Sequence, residues 1–210
     1  AASGNRLGVS ARTAPSHTRG DTIGALGQSV RVPPENMARP IIALLSDFGS
    51  RDHYAGTMKG VILGICPDAT LVDISHDVPP HDLQFAALEL AAACPFFPRG
   101  CVFLVVVDPG VGSARRGLAA DTGDYRFVAP DNGLLTYILM AYGAAGRTDA
   151  SEKGREDAFL TPLEVPVPDG CAAYWLNREK YWLKPPSDTF HGRDIFAPVA
   201  ARLSMGVPPE

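Results

Sequence analysis

From residue 40 onward, apolar positions follow two alternating periods. "IIALLS" (41–46) is apolar up to its last residue and reads as a buried strand. "YAGTMKGVILGI" (54–65) instead places Tyr54, Met58, Val61, Ile62 and Ile65 on one stripe of a helix. The succession then repeats. "TLVDIS" (70–75) predicts a second strand, and Asp82 predicts the cap of a helix running to about Ala93, with Leu83, Ala86, Ala87 and Leu90 inward. "CVFLVVV" (101–107) is too uniformly apolar to be half exposed, which predicts the centre of a parallel sheet. "LAAD-TGD-YRFVA" (118–129) predicts a hairpin that turns at Thr122–Asp124. "NGLLTYILMAYG" (132–143) predicts a helix with Leu134, Leu135, Ile138 and Leu139 inward and Gly143 as its stop. A last helix is expected after "FHGRD", burying Phe196, Val199 and Leu203 and ending at Gly206.

Strands alternating with helices imply an open α/β sheet, and such sheets hold ligands beyond the carboxyl ends of their strands. That rule selects Asp47 after the first strand, His76 and Asp77 after the second, Asp108 after the third, and Asp131 with Asn132 after the hairpin. The domain is expected over residues 40–210. Residues 1–39 are rich in Arg, Ser, Gly and Thr, hold only Asp21 and Glu35 as acids and show no hydrophobic period, so a disordered tail is expected there. Met37 is the favoured native start, with a remnant of an organellar targeting peptide as the other reading. The polar stretch 144–157 is expected to be a mobile loop.

Composition narrows the classes. A chain of 210 residues with 46% hydrophobic and 20% charged residues suits one ordinary soluble domain. Its longest apolar runs fall far short of the ~20 residues that span a bilayer, so no membrane partner is expected. The net charge of −4 lacks the basic excess of a nucleic-acid binder and favours a small-molecule partner. Cys66, Cys94, Cys101 and Cys171 have apolar neighbours and no C-x-x-C pair, which fits buried thiols in a cytoplasmic protein. No metal is expected, because His76, His81 and His191 lack ligand spacing; His76 and His81 are read as structural.

Four stretches carry candidate chemistry. "DPGVGSARRG" (108–117) reads either as a phosphate cradle or as a turn with solvated arginines, and it meets neither common nucleotide fingerprint. In "SDFGSRDHYAG" (46–56), Asp52 is explained by capping the next helix, whereas Asp47 stands where acids accept hydrogen bonds from ribose hydroxyls. In "APDNGLL" (129–135), Asn132 offers a donor and an acceptor suited to a base edge or an amino-acid group. In "FHGRDIF" (190–196), His191 sits in a short turn where it can face a cleft, while Arg193 and Asp194 are assigned to helix start and packing.

Taken in order, "SDFG-x-x-D-x-Y-x-G-x-M-K-G" (46–60), "VDISHDVPPHD" (72–82), "FFPRGCVFLVVVDPGVGSARR" (96–116), "VAPDNGLLT" (128–136) and "TFHGRDIFAPVAA" (189–201) resemble the S-adenosyl-L-methionine hydroxide adenosyltransferases. These are adenosine-forming S-adenosylmethionine hydrolases related to fluorinase and chlorinase. The resemblance implies a Rossmann-like three-layer α/β domain with a mainly parallel sheet, acting as a homotrimer with sites between subunits. It implies Asp108, Arg115 and His191 as the catalytic set, with Asp47 on the ribose hydroxyls and Asp52 and Asn132 near the methionine part or the base. S-adenosyl-L-methionine is then the substrate, and no cofactor is implied. The halogenating branch has Tyr in place of that Asp, and fluorinase has a long insertion ahead of its A-P-x-N-G block. Family members continue into a small C-terminal β-barrel, and the expectation here is a domain without it. Two alternatives stand beside hydrolysis: halide attack giving a 5′-halo-adenosine, and a fragment that binds S-adenosylmethionine or adenosine without turnover. A methyltransferase is disfavoured because "SDFGSRD" replaces the usual glycine-rich turn after strand one.

Overall fold

A computed structural model of the chain describes residues 39–143 and 167–208. The tail expected over 1–39, its last residue apart, and the loop expected over 144–157 lie outside the described residues. Six strands form one sheet: β1 (Ile41–Ser46), β2 (Thr70–Ser75), β3 (Val102–Val106), β4 (Gly117–Asp121), β5 (Arg126–Pro130) and β6 (Ala172–Trp175). Their spatial order is β2-β1-β3-β5-β4-β6. The pairings β1–β2, β1–β3 and β3–β5 are parallel, whereas β4 runs antiparallel to both β5 and β6. The uniform apolarity of β3 has the expected cause, since every residue from Val102 to Val106 is buried between two parallel neighbours.

Alternation along the strands divides the core into two layers. Ile42, Leu44, Val102, Leu104 and Val106 pack with Met58 and Ile62 of α1 (Tyr54–Ile65) and with Val199 and Leu203 of α4 (Ala197–Ser204). Ala43, Leu45, Phe103, Val105 and Val107 face the other way, toward α2 (Leu83–Ala93) and α3 (Thr136–Gly143). Phe103 anchors that second layer: its ring stacks on Phe127 at 5.1 Å and meets Phe97 and Tyr125 edge-on. The result is the expected three-layer α/β sandwich.

Several boundaries fall where the pattern placed them. Asp82 caps α2 by accepting from the Phe85 N–H, and Gly206, at φ 83°, follows the end of α4. Three differ. The helix expected from Asn132 begins only at Thr136, because Gly133 has φ 91° and the Asn132 side chain closes a turn onto the Leu134 N–H. Asp52 does not cap α1: His53 holds the cap position, and no side chain bonds there. The last helix is entered through a π-helical turn, Gly192–Phe196. β6 was not foreseen. All four cysteines are free, with Cys66, Cys94 and Cys101 buried and Cys171 half-buried, and burial pushes the Cys101 thiol up to about 12. Among the described residues no helix is long and apolar enough to cross a membrane.

Candidate active site

The chain leaves β1 toward β2 on one side and returns to β3 on the other, so the carboxyl ends of β1 and β3 flank the point where strand order reverses. Asp47 follows β1 and Asp108 stands two residues beyond β3. Between them opens a cleft of about 230 Å³, closed on its far side by the Thr189–Gly192 turn and by Pro80 and His81 of the β2–α2 loop.

Asp108 lies at the heart of this cleft, its side chain only 5% exposed. Arg115 grips it with both arms of the guanidinium: Nε donates to Oδ1 at 2.8 Å, and Nη2 donates to Oδ2. Two parallel bonds fix the carboxylate plane, while each oxygen keeps a second lone pair for another donor. Nη2 of Arg115 also lies 2.8 Å from Nδ1 of His191. A guanidinium only donates, so Nδ1 must accept, which leaves the imidazole neutral with its proton on Nε2. Burial and then the Arg115 charge push the His191 pKa below its ordinary 6.5, in the same direction. Three residues from two separate segments, the β3–β4 loop and the turn that carries His191, therefore form one connected group.

The paired arginines diverge. Arg115 lies over the Phe196 ring and points inward, whereas Arg116 is exposed over the Trp175 ring of β6. Neither the phosphate cradle nor the solvated turn describes this loop, because one guanidinium is spent on a buried carboxylate and the other on an aromatic face. The glycines have a reason of their own. Gly112 has φ 77°, and a Cβ there would fall 2.5 Å from the Asp188 carbonyl oxygen. That close approach is to the turn that carries His191, and it seats the Asp108 loop against that turn.

Asp47 is held by the β2–α2 loop, its Oδ2 accepting from the His81 N–H at 2.9 Å. Among the described residues its Oδ1 has no partner. His81 adopts φ 65°, a left-handed backbone uncommon for a residue with a Cβ. Expected to be structural, His81 is one of the residues that line the cleft. His76 is structural as expected. It is buried, with Nδ1 at 2.7 Å from Ser46 Oγ and Nε2 at 3.1 Å from Asp73, which also accepts from Lys59. Although the trio has the composition of a hydrolase triad, Ser46 is 0% exposed, so the arrangement braces the tips of β1 and β2 and offers no nucleophile. Burial disfavours the Asp73 charge, but the bonds from Lys59 and His76 outweigh it and hold its pKa below the usual value.

Two predicted site residues lie away from the cleft lining. Asp52 is exposed on the β1–α1 loop. Asn132 spends its side chain on its own chain, Nδ2 donating to the Val107 carbonyl at 2.9 Å and Oδ1 accepting from Leu134. It thereby ties down the residue before Asp108. Asp77 and Asp131 are exposed and outside the lining as well. Conversely, pattern analysis missed an aromatic wall. Phe48 and Phe190 line the cleft edge-on at 5.7 Å, and Tyr54 backs them. The available signal was their place directly beside Asp47 and His191 in "DF" and "FH". Among the described residues no group of three or more His, Cys, Asp or Glu side chains is arranged to hold a metal ion.

Comparison with known proteins gives a consistent result. Residues 42–210 match the family described as SAM hydroxide adenosyltransferase N-terminal domain. The chain is 42% identical over 172 residues to a protein of Thermus thermophilus named (R)-S-adenosyl-L-methionine hydrolase, covering 82% of this chain and 59% of that one. It is 29% identical over 198 residues to a Nocardia brasiliensis protein named fluorinase, covering 83% and 57%. A solved structure of an uncharacterized conserved protein from Thermotoga maritima superposes with a TM-score of 0.66 at 39% identity, covering 80% of this chain and 55% of that one. The chain thus spans under two thirds of the length of these relatives.

Proposed function

The chain belongs to the SAM hydroxide adenosyltransferase family, and on that premise we propose that it hydrolyses S-adenosyl-L-methionine to adenosine and L-methionine. The observation that carries this reading is the Asp108–Arg115–His191 group in the cleft at the switch point. The relatives' name points to the (R) sulfonium epimer as substrate. A sulfonium leaves C5′ as a neutral thioether, so no general acid is needed. What the site must do is hold one water in line behind C5′ and take its proton. In this reading the water oxygen bonds to C5′, the C5′–S electron pair goes to sulfur, and the proton passes to Asp108 and then to solvent. Arg115 keeps the carboxylate aimed, and His191 fixes Arg115 by accepting from the same Nη2. Positioning of this kind contributes up to about 7–11 kcal/mol in well-oriented reactions. The nucleophile and the sulfonium cancel charge as they meet, so the dry wall of Phe48 and Phe190 favours the transition state. Asp47, whose Oδ1 has no partner among the described residues, is assigned to the ribose hydroxyls. Asp52 and Asn132 keep their assignment near the methionine part or the base only through the family resemblance.

Halide attack is the rival chemistry. A buried carboxylate where the anion would have to sit opposes it, as does the tight turn between β4 and β5, where fluorinase carries an insertion. Relatives named hydrolase are also more similar, at 36–42% identity, than those named fluorinase, at 28–29%. A trimer with sites between subunits and a cytoplasmic location, which suits the free thiols, belong to the same proposal. The test is incubation with each sulfonium epimer, with and without chloride, followed by chromatography for adenosine and methionine. Adenosine and methionine from the (R) epimer are expected, with near-complete loss in Asp108→Ala. Binding without release of adenosine would favour a non-catalytic module.

A further inference from the structure

The turn that delivers His191 hangs on one buried carboxylate outside the catalytic group. Asp194 is 1% exposed and accepts four bonds: from Arg193 Nε at 2.6 Å and Nη2 at 2.9 Å, and from the Ser187 N–H at 2.8 Å and hydroxyl at 2.9 Å. The Ser187 hydroxyl in turn accepts the Phe190 N–H at 3.0 Å. The Arg193 guanidinium, held by Asp194, lies over the Phe190 ring at 5.2 Å. The Asp194 carbonyl accepts from Leu183, which draws the preceding loop onto the same point. The N–H groups of both Arg193 and Asp194 converge on the Phe190 carbonyl, and the backbone then widens into the π-helical turn, where the Ala197 N–H bonds the Gly192 carbonyl five residues back. Such wide turns are uncommon and are found at functional sites, where they re-aim a side chain.

We infer that Asp194 is a positioning residue, whose carboxylate fixes the Ser187–Phe190 turn and thereby sets His191 against Arg115. Its carboxylate bonds neither His191 nor any residue that lines the cleft and acts only through the turn. Burial disfavours its charge, but the bonds from Arg193 and Ser187 prevail and hold its pKa below the usual carboxylate value, so it stays ionised through the neutral range. The kinetic part of this inference rests on the proposed hydrolysis; the structural part does not.

Titration of His191 separates positioning from a simple loss of charge, because the two move its pKa in opposite directions. Burial and Arg115 depress it, whereas Asp108, Asp194 and Asp188 raise it more weakly. In Asp194→Asn the amide would present N–H groups to donors, and the turn would loosen. If Asp194 positions His191, the imidazole leaves Arg115 for water and its pKa rises toward 6.5. If it does not, only a favourable negative charge is removed, and the pKa falls or stays. The measurement is nuclear magnetic resonance of the imidazole nitrogens, with His191→Gln identifying the signal. Ser187→Ala cuts the link to Phe190 without changing any charge, and a smaller rise is expected from it. Should Asp194→Asn fail to fold, that variant decides by the same sign. With substrate, kcat is expected to fall about tenfold to a hundredfold, with KM within about twofold of the parent. A fall in the His191 pKa, or none, overturns the inference. A parent protein that makes no adenosine overturns the hydrolysis and leaves the titration to judge Asp194.

Discussion

At the level of single residues, the decisive fact is that Arg115 can only donate, which makes a neutral His191 a condition of the site. Acid breaks that condition. Because the folded pKa of His191 lies below 6.5, its neutral form contributes stability that is present above pH 6.5 and is lost as pH falls through the folded value. We therefore expect kcat/KM to decline only below pH 6.5, with stability declining alongside it; a profile flat well into the acid range would show that His191 does not matter in this way. The proton acceptor itself is tested by Asp108→Asn, which keeps the shape and removes the base. A loss of about 10²–10⁴ in kcat is expected in steady-state rates; because the amide turns an N–H toward the Arg115 guanidinium, a lower urea midpoint is expected as well, and the rates are compared under conditions where the variant is folded. Much of this was visible in the sequence. Asp47 and Asp108 stand out because acids end buried strands, and Arg115 and His191 were placed by motif. Their contact was not visible, since it depends on where the Gly112 loop meets Asp188, and apolar periodicity carries no information about loop-to-loop approach.

Among the elements, those with a clear apolar pattern were legible almost to the residue: the bounds of β1, β2, α1 and α2 follow it, although no residue of β2 is fully buried and Tyr54 of the α1 stripe is exposed. What escaped has no stripe. β6, "AAYW", begins with two alanines that disfavour strands, and pairing with β4 rather than local preference makes it one. The start of α3 is set by a positive φ at Gly133, and the π-helical turn is set by the ties around Asp194. Glycine substitutions test the loop geometry directly. Gly112→Ala combines a left-handed φ with a contact at 2.5 Å against backbone, whereas Gly123→Ala, at φ 81°, meets nothing within 4 Å. We expect Gly123→Ala to cost about 1 kcal/mol and Gly112→Ala clearly more, with kcat lost only in the latter. Equal costs in urea denaturation would mean that the Asp188 contact yields readily. Asp82→Ala, which removes the α2 cap, should cost about 1 kcal/mol and leave turnover intact.

In the molecule as a whole, a sheet whose order reverses between β1 and β3 gathers residues from four distant segments at one end, and the apolar layers on its two faces hold that end in place. The chemistry assigned to it is displacement at carbon, so the origin of the new oxygen is the sharpest question. Turnover of the (R) epimer in heavy-oxygen water, with the products analysed by mass spectrometry, answers it. One heavy oxygen in the 5′-hydroxyl of adenosine and none in methionine is the expected result. Adenosine without the label, or a 5′-halo product that grows with chloride, would contradict attack by water held at Asp108.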